Sequence, residues 1–188
     1  MKSMDNGASS YRRFLDGDES GIVEIVKEYK DGLILYLNNY VSNIFIAEEL
    51  AEDTFVKLLT KRPKDNLKAS FKTWLYSIGR NIAIDYLRKN SKVFAISAED
   101  YSKIVIEAES VENSYIKEER KIILHKALSQ LKPEYRQILW LIYFENFTNR
   151  EAAEIMNKSV HNTETLLYRA KKSLKSELEK EGFSYEEL

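Results

Sequence analysis

Between residues 57 and 92 the chain carries ten lysines and arginines against two acids, Asp65 and Asp85, a net charge of +8. Lys61, Arg62, Lys64, Lys68, Lys72, Arg80, Arg88 and Lys89 are interleaved there with Phe71, Trp74, Tyr76 and Tyr86. Cations at this density can track a phosphate backbone, and aromatics that reach solvent can stack on unpaired bases, for roughly 1–3 kcal/mol per base. Phe71 and Tyr86 fall on the apolar stripe of a helix and read as core. Trp74 and Tyr76 flank that stripe and are the better stacking candidates.

A second constellation lies in "TNREAAEIMNKSVHNTETLLYRAKKSL", residues 148–174. Thr148 followed three residues later by Glu151 is a capping box, which starts a helix of about eight residues. After "NKS" a longer helix follows. At 100° per residue, Val160, Thr163, Leu167, Ala170, Leu174 and Leu178 share one side, and His161, Thr165, Tyr168, Arg169 and Lys172 share the other. A short capped helix, a tight turn and a longer helix with a small, polar first turn form a helix-turn-helix. Such a second helix reads base edges in the major groove. Lys171, Lys172 and Lys175 are placed for phosphates, which position the helix without specifying sequence. A plain helical hairpin with a solvated face is the other reading of this segment alone.

Enzyme chemistry finds little support. There is no cysteine, P-loop or glycine-rich nucleotide fingerprint. His125 and His161 fall on different helices without ligand spacing. Glu48/Glu49 and Glu118/Glu119 are adjacent in sequence, so they diverge on a helix and belong to solvated faces. We expect no metal, no cofactor, no small-molecule substrate and no catalytic residue.

The elements that must carry these residues are helical. Charged residues make up 31% of the 188, with only two prolines and six glycines, a profile of a soluble helical protein. No apolar run approaches the ~20 residues of a membrane span. The first residues lack the apolar core of a signal peptide, so the expected compartment is the cytoplasm. Asp18 can cap a helix from Glu19 carrying Ile22, Val23, Ile25, Val26 and Tyr29. A second helix covers about 46–59, with Ala47, Leu50, Ala51, Phe55 and Leu58 at helical spacing. Pro63 breaks the pattern, and a third helix spans about 71–89. Gly79 in its middle costs about 1 kcal/mol relative to alanine, which points to close packing there. Periodicity fades from Asn90 to about Val111, a stretch long for a connection inside one domain. It resumes near Ser114. Pro133 suits a first helical position, and Gly182 a helix stop. Charge is segregated along the chain, with −6 over residues 1–56, +8 over 57–92 and −3 over 93–188.

"AEELAEDTFVKLL" followed by "FKTWLYSIGRNIAIDYLRK" resembles region two of the extracytoplasmic-function (ECF) sigma factors of bacterial RNA polymerase, a group of the sigma-70 family. "ALSQLKPEYRQILWLIYFENFTNREAAEIMNKSVHNTETLLYRAKKSL" is similar to their region four, and "YRRFLDGDESGIVEIVKEYKDGLILYL" to the group's opening helix. The resemblance implies an all-α chain of two small helical domains joined by a flexible linker. Region two would cover 1–90, the linker 91–113 and the helix-turn-helix bundle of region four 114–188.

It also implies partners and sites. Region two would dock on the clamp of core RNA polymerase, with Glu48, Glu49, Asp53, Thr54, Phe55 and Lys57 on or near the contact. Residues 61–89 would melt and capture the minus-ten promoter element, with Lys68, Lys72, Trp74, Arg80, Asn81 and Arg88 on the strand. Asp85 matches a family position and could equally orient Arg88. Ser159, His161, Asn162, Thr165, Arg169, Lys171 and Lys172 would face the minus-thirty-five element. Core polymerase, through its beta and beta-prime subunits, promoter DNA and an anti-sigma protein are the implied partners. Glu164 and Leu166 stand where members often carry basic residues, and the turn "NKSVHN" lacks the usual glycines. The rival reading is a one-component helix-turn-helix regulator that leaves core polymerase inert.

Overall fold

The computed structural model describes residues 6–61, 70–90 and 115–183. Four helices come first. The Asp18 carboxylate accepts from the Ser20 amide at 3.0 Å and its hydroxyl at 2.6 Å, which turns the chain from α1 (Asn6–Leu15) into α2 (Ser20–Val41). α2 ends at Ser42 in the left-handed region, and Asn43 Oδ1 then accepts from the amides of Phe45 and Ile46, opening α3 (Ile44–Lys61). Such caps satisfy amides that have no partner inside the helix. α4 (Phe71–Lys89) opens on Ser70, whose hydroxyl accepts from the Thr73 amide at 3.2 Å.

Ile25, Leu33, Leu37, Leu58, Phe71 and Leu75 are completely buried between these helices. α4 crosses α2 and α3 at Gly79, where a methyl group would lie 3.0 Å from Leu33 Cδ1 and 3.4 Å from Thr54 Oγ1. The glycine is the price of that close crossing. Val23, assigned above to the apolar side of α2, is 64% exposed, since the α2 core stripe runs instead through Ile22, Ile25, Tyr29 and Leu33.

α5 (Tyr115–Ser129) leads to α6 (Pro133–Leu139), with Pro133 in its first turn. α6 then widens into a π-turn over Trp140–Phe144. Thr148 caps α7 (Asn149–Met156) with the full capping box, its oxygen accepting from the Glu151 amide while Glu151 accepts from the Thr148 amide. α7 ends at Asn157 with φ of 53°, and Ser159 caps α8 (Val160–Lys180). Gly182, at φ of 80°, lies just past its end. Among the described residues all regular structure is helical, and no helix is long and apolar enough to cross a membrane.

The two groups of helices touch. α4 packs on α7 and α2 on α6, and one continuous apolar cluster runs from Tyr11 through Tyr76 and Phe147 to Ala170. The expected linker over 91–113 lies outside the described residues.

Candidate nucleic-acid and polymerase interfaces

Three surfaces carry the residues singled out from the sequence. The first is α4. Arg80 is half-buried, and its guanidinium lies within 3.5 Å of Asn81 Oδ1 at the exposed side of the helix. Arg88 and Asp85 form an ion pair at 3.1 Å, so the carboxylate does orient the guanidinium. Both groups are well exposed, and such a pair contributes roughly 0–1 kcal/mol. Arg88 can therefore exchange Asp85 for a phosphate at small loss.

Trp74 is half-buried, with its ring 5.3 Å from Tyr11 and 5.7 Å from Phe71. It packs against the core and is in part open to solvent. Tyr76 departs from the expectation. It is 1% exposed, its ring lies 5.2 Å from Tyr36 and 5.1 Å from Phe147, and its hydroxyl donates to Glu145 at 2.8 Å. It belongs to the core and offers no face to a base. Lys72 is engaged as well, with its ammonium 2.8 Å from the Glu145 carboxylate and 4.8 Å from the Phe147 ring centre. Lys68 lies outside the described residues.

Behind Arg80 stands a buried tyrosine group. Burial pushes the Tyr36 hydroxyl well above its ordinary value, with the neighbouring Tyr40 adding to the effect. Burial also raises Tyr40, to about 12, against smaller opposing pulls from its hydrogen bond with Tyr36 and from Arg80. Tyr76 is raised too, first by burial and then by the Glu145 charge.

The second surface is α3. Thr54 and Phe55 were expected on or near a docking contact, and the structure turns both side chains inward. Thr54 is completely buried, its hydroxyl donating to the Leu50 carbonyl at 2.8 Å, and Phe55 is 5% exposed. Both sit on the stripe with Ala47, Leu50, Ala51 and Leu58, which the apolar periodicity of α3 turns inward. Glu48 is half-buried and pairs with Lys30 at 3.3 Å. Glu49, Asp53 and Lys57 are exposed. Alongside them runs a set that the sequence reading did not select: Phe45, Val56 and Leu59, at 72%, 49% and 41% exposure. With Glu49 and Glu52 they fall at helical spacing, so an outward face is apolar at both ends and acidic in the middle.

The third surface is α8. Thr163, Leu167, Ala170 and Leu178 are buried, and His161, Tyr168, Arg169 and Lys172 are exposed, as the wheel predicts; Asn162 is exposed too. Val160, in the first turn, departs from the wheel at 42% exposure. Ser159 is exposed, but its hydroxyl serves as the N-cap by accepting from the Asn162 amide at 3.2 Å. Thr165 is half-buried. The Lys171 ammonium lies 5.4 Å from the Tyr143 ring centre, a cation–π contact. Among the described residues no group of three or more His, Asp or Glu side chains gathers where it could hold a metal ion.

Glu145 is the residue that sequence reasoning missed. It lies in an aromatic stretch without periodicity, and the one local signal was the turn-forming Asn146 beside it, which adopts φ of 57°.

Comparison with known proteins accounts for this arrangement. The family model described as Sigma-70 region 2 matches residues 25–93, and that described as Sigma-70, region 4 matches 121–174. The ECF RNA polymerase sigma factor SigM of Bacillus subtilis (strain 168) is 31% identical over 156 residues, which cover 82% of this chain and 93% of SigM. The ECF sigma factor SigW of the same organism is 26% identical over 170 residues, covering 86% and 91%. In fold, the chain resembles the sigma factor RpoE of Bartonella quintana, solved in complex with the anti-sigma factor NepR. That match has a TM-score of 0.63 at 22% identity and covers 83% of this chain and 95% of the other. It also resembles CnrH, solved with the cytosolic domain of CnrY, at a TM-score of 0.61 and 18% identity, covering 93% and 95%. With both regions matched in order and a relative of this identity along nearly its full length, the chain belongs to the extracytoplasmic-function group of sigma-70 family RNA polymerase sigma factors.

Proposed function

We propose how this sigma factor divides its work. Residues 1–90 form the unit that binds core polymerase and opens the minus-ten element, 91–113 the tether, and 114–188 the unit that reads the minus-thirty-five element. The observation that carries the reading is α8. Its packed face is apolar, while its outward face presents His161, Asn162, Arg169 and Lys172 beyond a capped first turn. A helix seated in a major groove needs this division. His161, Asn162 and Thr165 face base edges, Arg169, Lys171 and Lys172 face phosphates, and Ser159 acts by holding the first turn.

On α4, Arg80, Asn81 and Arg88 hold the separated strand, with Lys72 and the segment containing Lys68 on its phosphates and the outer edge of Trp74 against a base. Extruding a base costs a few kcal/mol, which these contacts offset. On α3 the polymerase contact is the exposed set of Glu49, Asp53, Val56 and Lys57, flanked by Phe45 and Leu59. Glu48 lies at its margin, and Thr54 and Phe55 support it from beneath. An acidic face with apolar ends suits a basic helical partner surface.

The protein acts by binding energy and does no bond chemistry itself, and it works in the cytoplasm. An anti-sigma protein is its expected regulator, in keeping with the complex in which RpoE of the same fold was solved. The one-component regulator does not account for the region two match over 25–93. Permanganate footprinting of the holoenzyme tests the reading. Arg80→Ala with Arg88→Ala should abolish thymine reactivity at the minus-ten element while leaving core binding intact. Undiminished opening by the double variant would contradict the strand assignment.

A further inference from the structure

The α4 surface assigned above to the promoter strand is partly covered by the chain itself. The covering group is a carboxylate. The π-turn after α6 closes with the Glu145 amide donating to the Trp140 carbonyl at 3.1 Å, and the chain then reverses at Asn146. This projects Glu145 away from its own unit and onto α4. The Lys72 ammonium meets its carboxylate at 2.8 Å and also donates to its backbone carbonyl at 2.9 Å. The Tyr76 hydroxyl donates to the same carboxylate at 2.8 Å. Only 10% of the Glu145 side chain stays exposed. A second carboxylate follows, with Glu151 Oε1 3.5 Å and 3.4 Å from the hydroxyls of Ser70 and Thr73 at the start of α4. Two acids thus sit on a cation and hydroxyl donors, the groups that would receive phosphate oxygens.

The seat is shaped for this. Gly32 on α2 forms its floor, where a methyl would lie 2.7 Å from the Tyr76 hydroxyl and 2.9 Å and 3.3 Å from the two Glu145 oxygens. π-turns recur at functional positions because they re-aim a side chain at the cost of regular helical bonding.

We propose that Glu145 is an intramolecular latch. By occupying Lys72 and Tyr76 in place of a strand phosphate, it holds the second unit on α4 and covers this part of the strand site until the unit is drawn away. The occlusion rests on the strand-contact reading of α4; the latch itself rests on the contacts alone.

The chain has no cysteine, so dyes can be attached at two introduced ones, Asp16→Cys and Glu164→Cys, without background. The experiment compares energy transfer in the free, full-length chain with that in Glu145→Gln and in Gly32→Ala. Glutamine removes the charge, and alanine fills the seat while being the better helix former, so its effect is not a loss of helix. Both variants should lower the transfer. Both should also raise affinity for a labelled oligothymidine single strand of roughly 12 nucleotides, by about tenfold, the worth of one charge-assisted hydrogen bond. Unchanged transfer in both variants would overturn the latch. Lowered transfer with unchanged strand affinity would leave the latch standing and overturn the occlusion, and with it the assignment of Lys72 to the strand.

Discussion

The hydroxyls of Tyr36 and Tyr40 lie 2.7 Å apart, one turn apart on α2, and the Tyr36 ring packs 5.2 Å from that of Tyr76. All three phenols are held neutral, chiefly by burial, and all three have raised values. A raised folded-state value means that the stabilisation is fully present below the unfolded tyrosine value of about 10 and is lost as pH rises above it. For Tyr40 the loss continues to about 12. Each such proton costs roughly 1.4 kcal/mol per pH unit across its window. Urea midpoints should therefore hold steady up to about pH 9.5 and fall steeply above pH 10. Tyrosinate absorbance from this group should appear only with unfolding, and its appearance at pH 10 in the folded chain would contradict the buried placement.

Neighbouring positions on α3 should respond in opposite ways. Phe55 is 5% exposed, and truncation of a buried phenylalanine typically costs about 3–5 kcal/mol, so Phe55→Asp should fail to fold. Val56 is 49% exposed, and Val56→Asp should keep the unfolding free energy within about 0.5 kcal/mol of the parent. The same change should weaken binding to core polymerase in a fluorescence titration. Wild-type affinity in a folded Val56→Asp chain would remove α3's outer face from the contact.

The capping box has a separable role. The Thr148 hydroxyl donates to Glu151 at 2.8 Å and accepts from its amide. Thr148→Ala should lower stability by about 1 kcal/mol, and Thr148→Ser should restore most of it. Thermal unfolding reads both, and an unchanged midpoint in Thr148→Ala would show that the box contributes nothing net.

On α8 the two kinds of contact should separate by salt. Lys172→Ala should weaken holoenzyme binding to different promoters about equally and reduce the slope of log affinity against log salt by about 0.9. Asn162→Ala should instead change the preference at one base pair of the minus-thirty-five element by about 1–3 kcal/mol, with the slope kept. Competition binding on promoter variants measures each effect. A change in salt slope for Asn162→Ala would place that residue on a phosphate.

Much of this arrangement was legible because the helices announce themselves locally. Thr148 caps where expected, Pro133 opens α6, and Phe71–Lys89 has the bounds that its apolar stripe predicts. Face assignment was harder where a helix packs on more than one neighbour. Tyr76 flanks the stripe of α4 but is covered by residues from the second unit, Glu145 and Phe147. Thr54, a polar residue on an amphipathic helix, reads as outward, yet it satisfies its hydroxyl on the Leu50 carbonyl and goes in. α1 carries too few apolar positions to be read by period alone, and the first helix legible in the sequence opens only after Asp18. Contacts between the two units leave no periodic trace, so the seat of Glu145 could be seen only in three dimensions.

Run-off transcription is the most direct test. Purified chain, core polymerase and genomic fragments should together give discrete transcripts that core alone does not give. Their start points should lie downstream of a shared pair of minus-thirty-five and minus-ten elements. Fragment-independent initiation, or no initiation at all with core that responds to another sigma factor, would contradict the account.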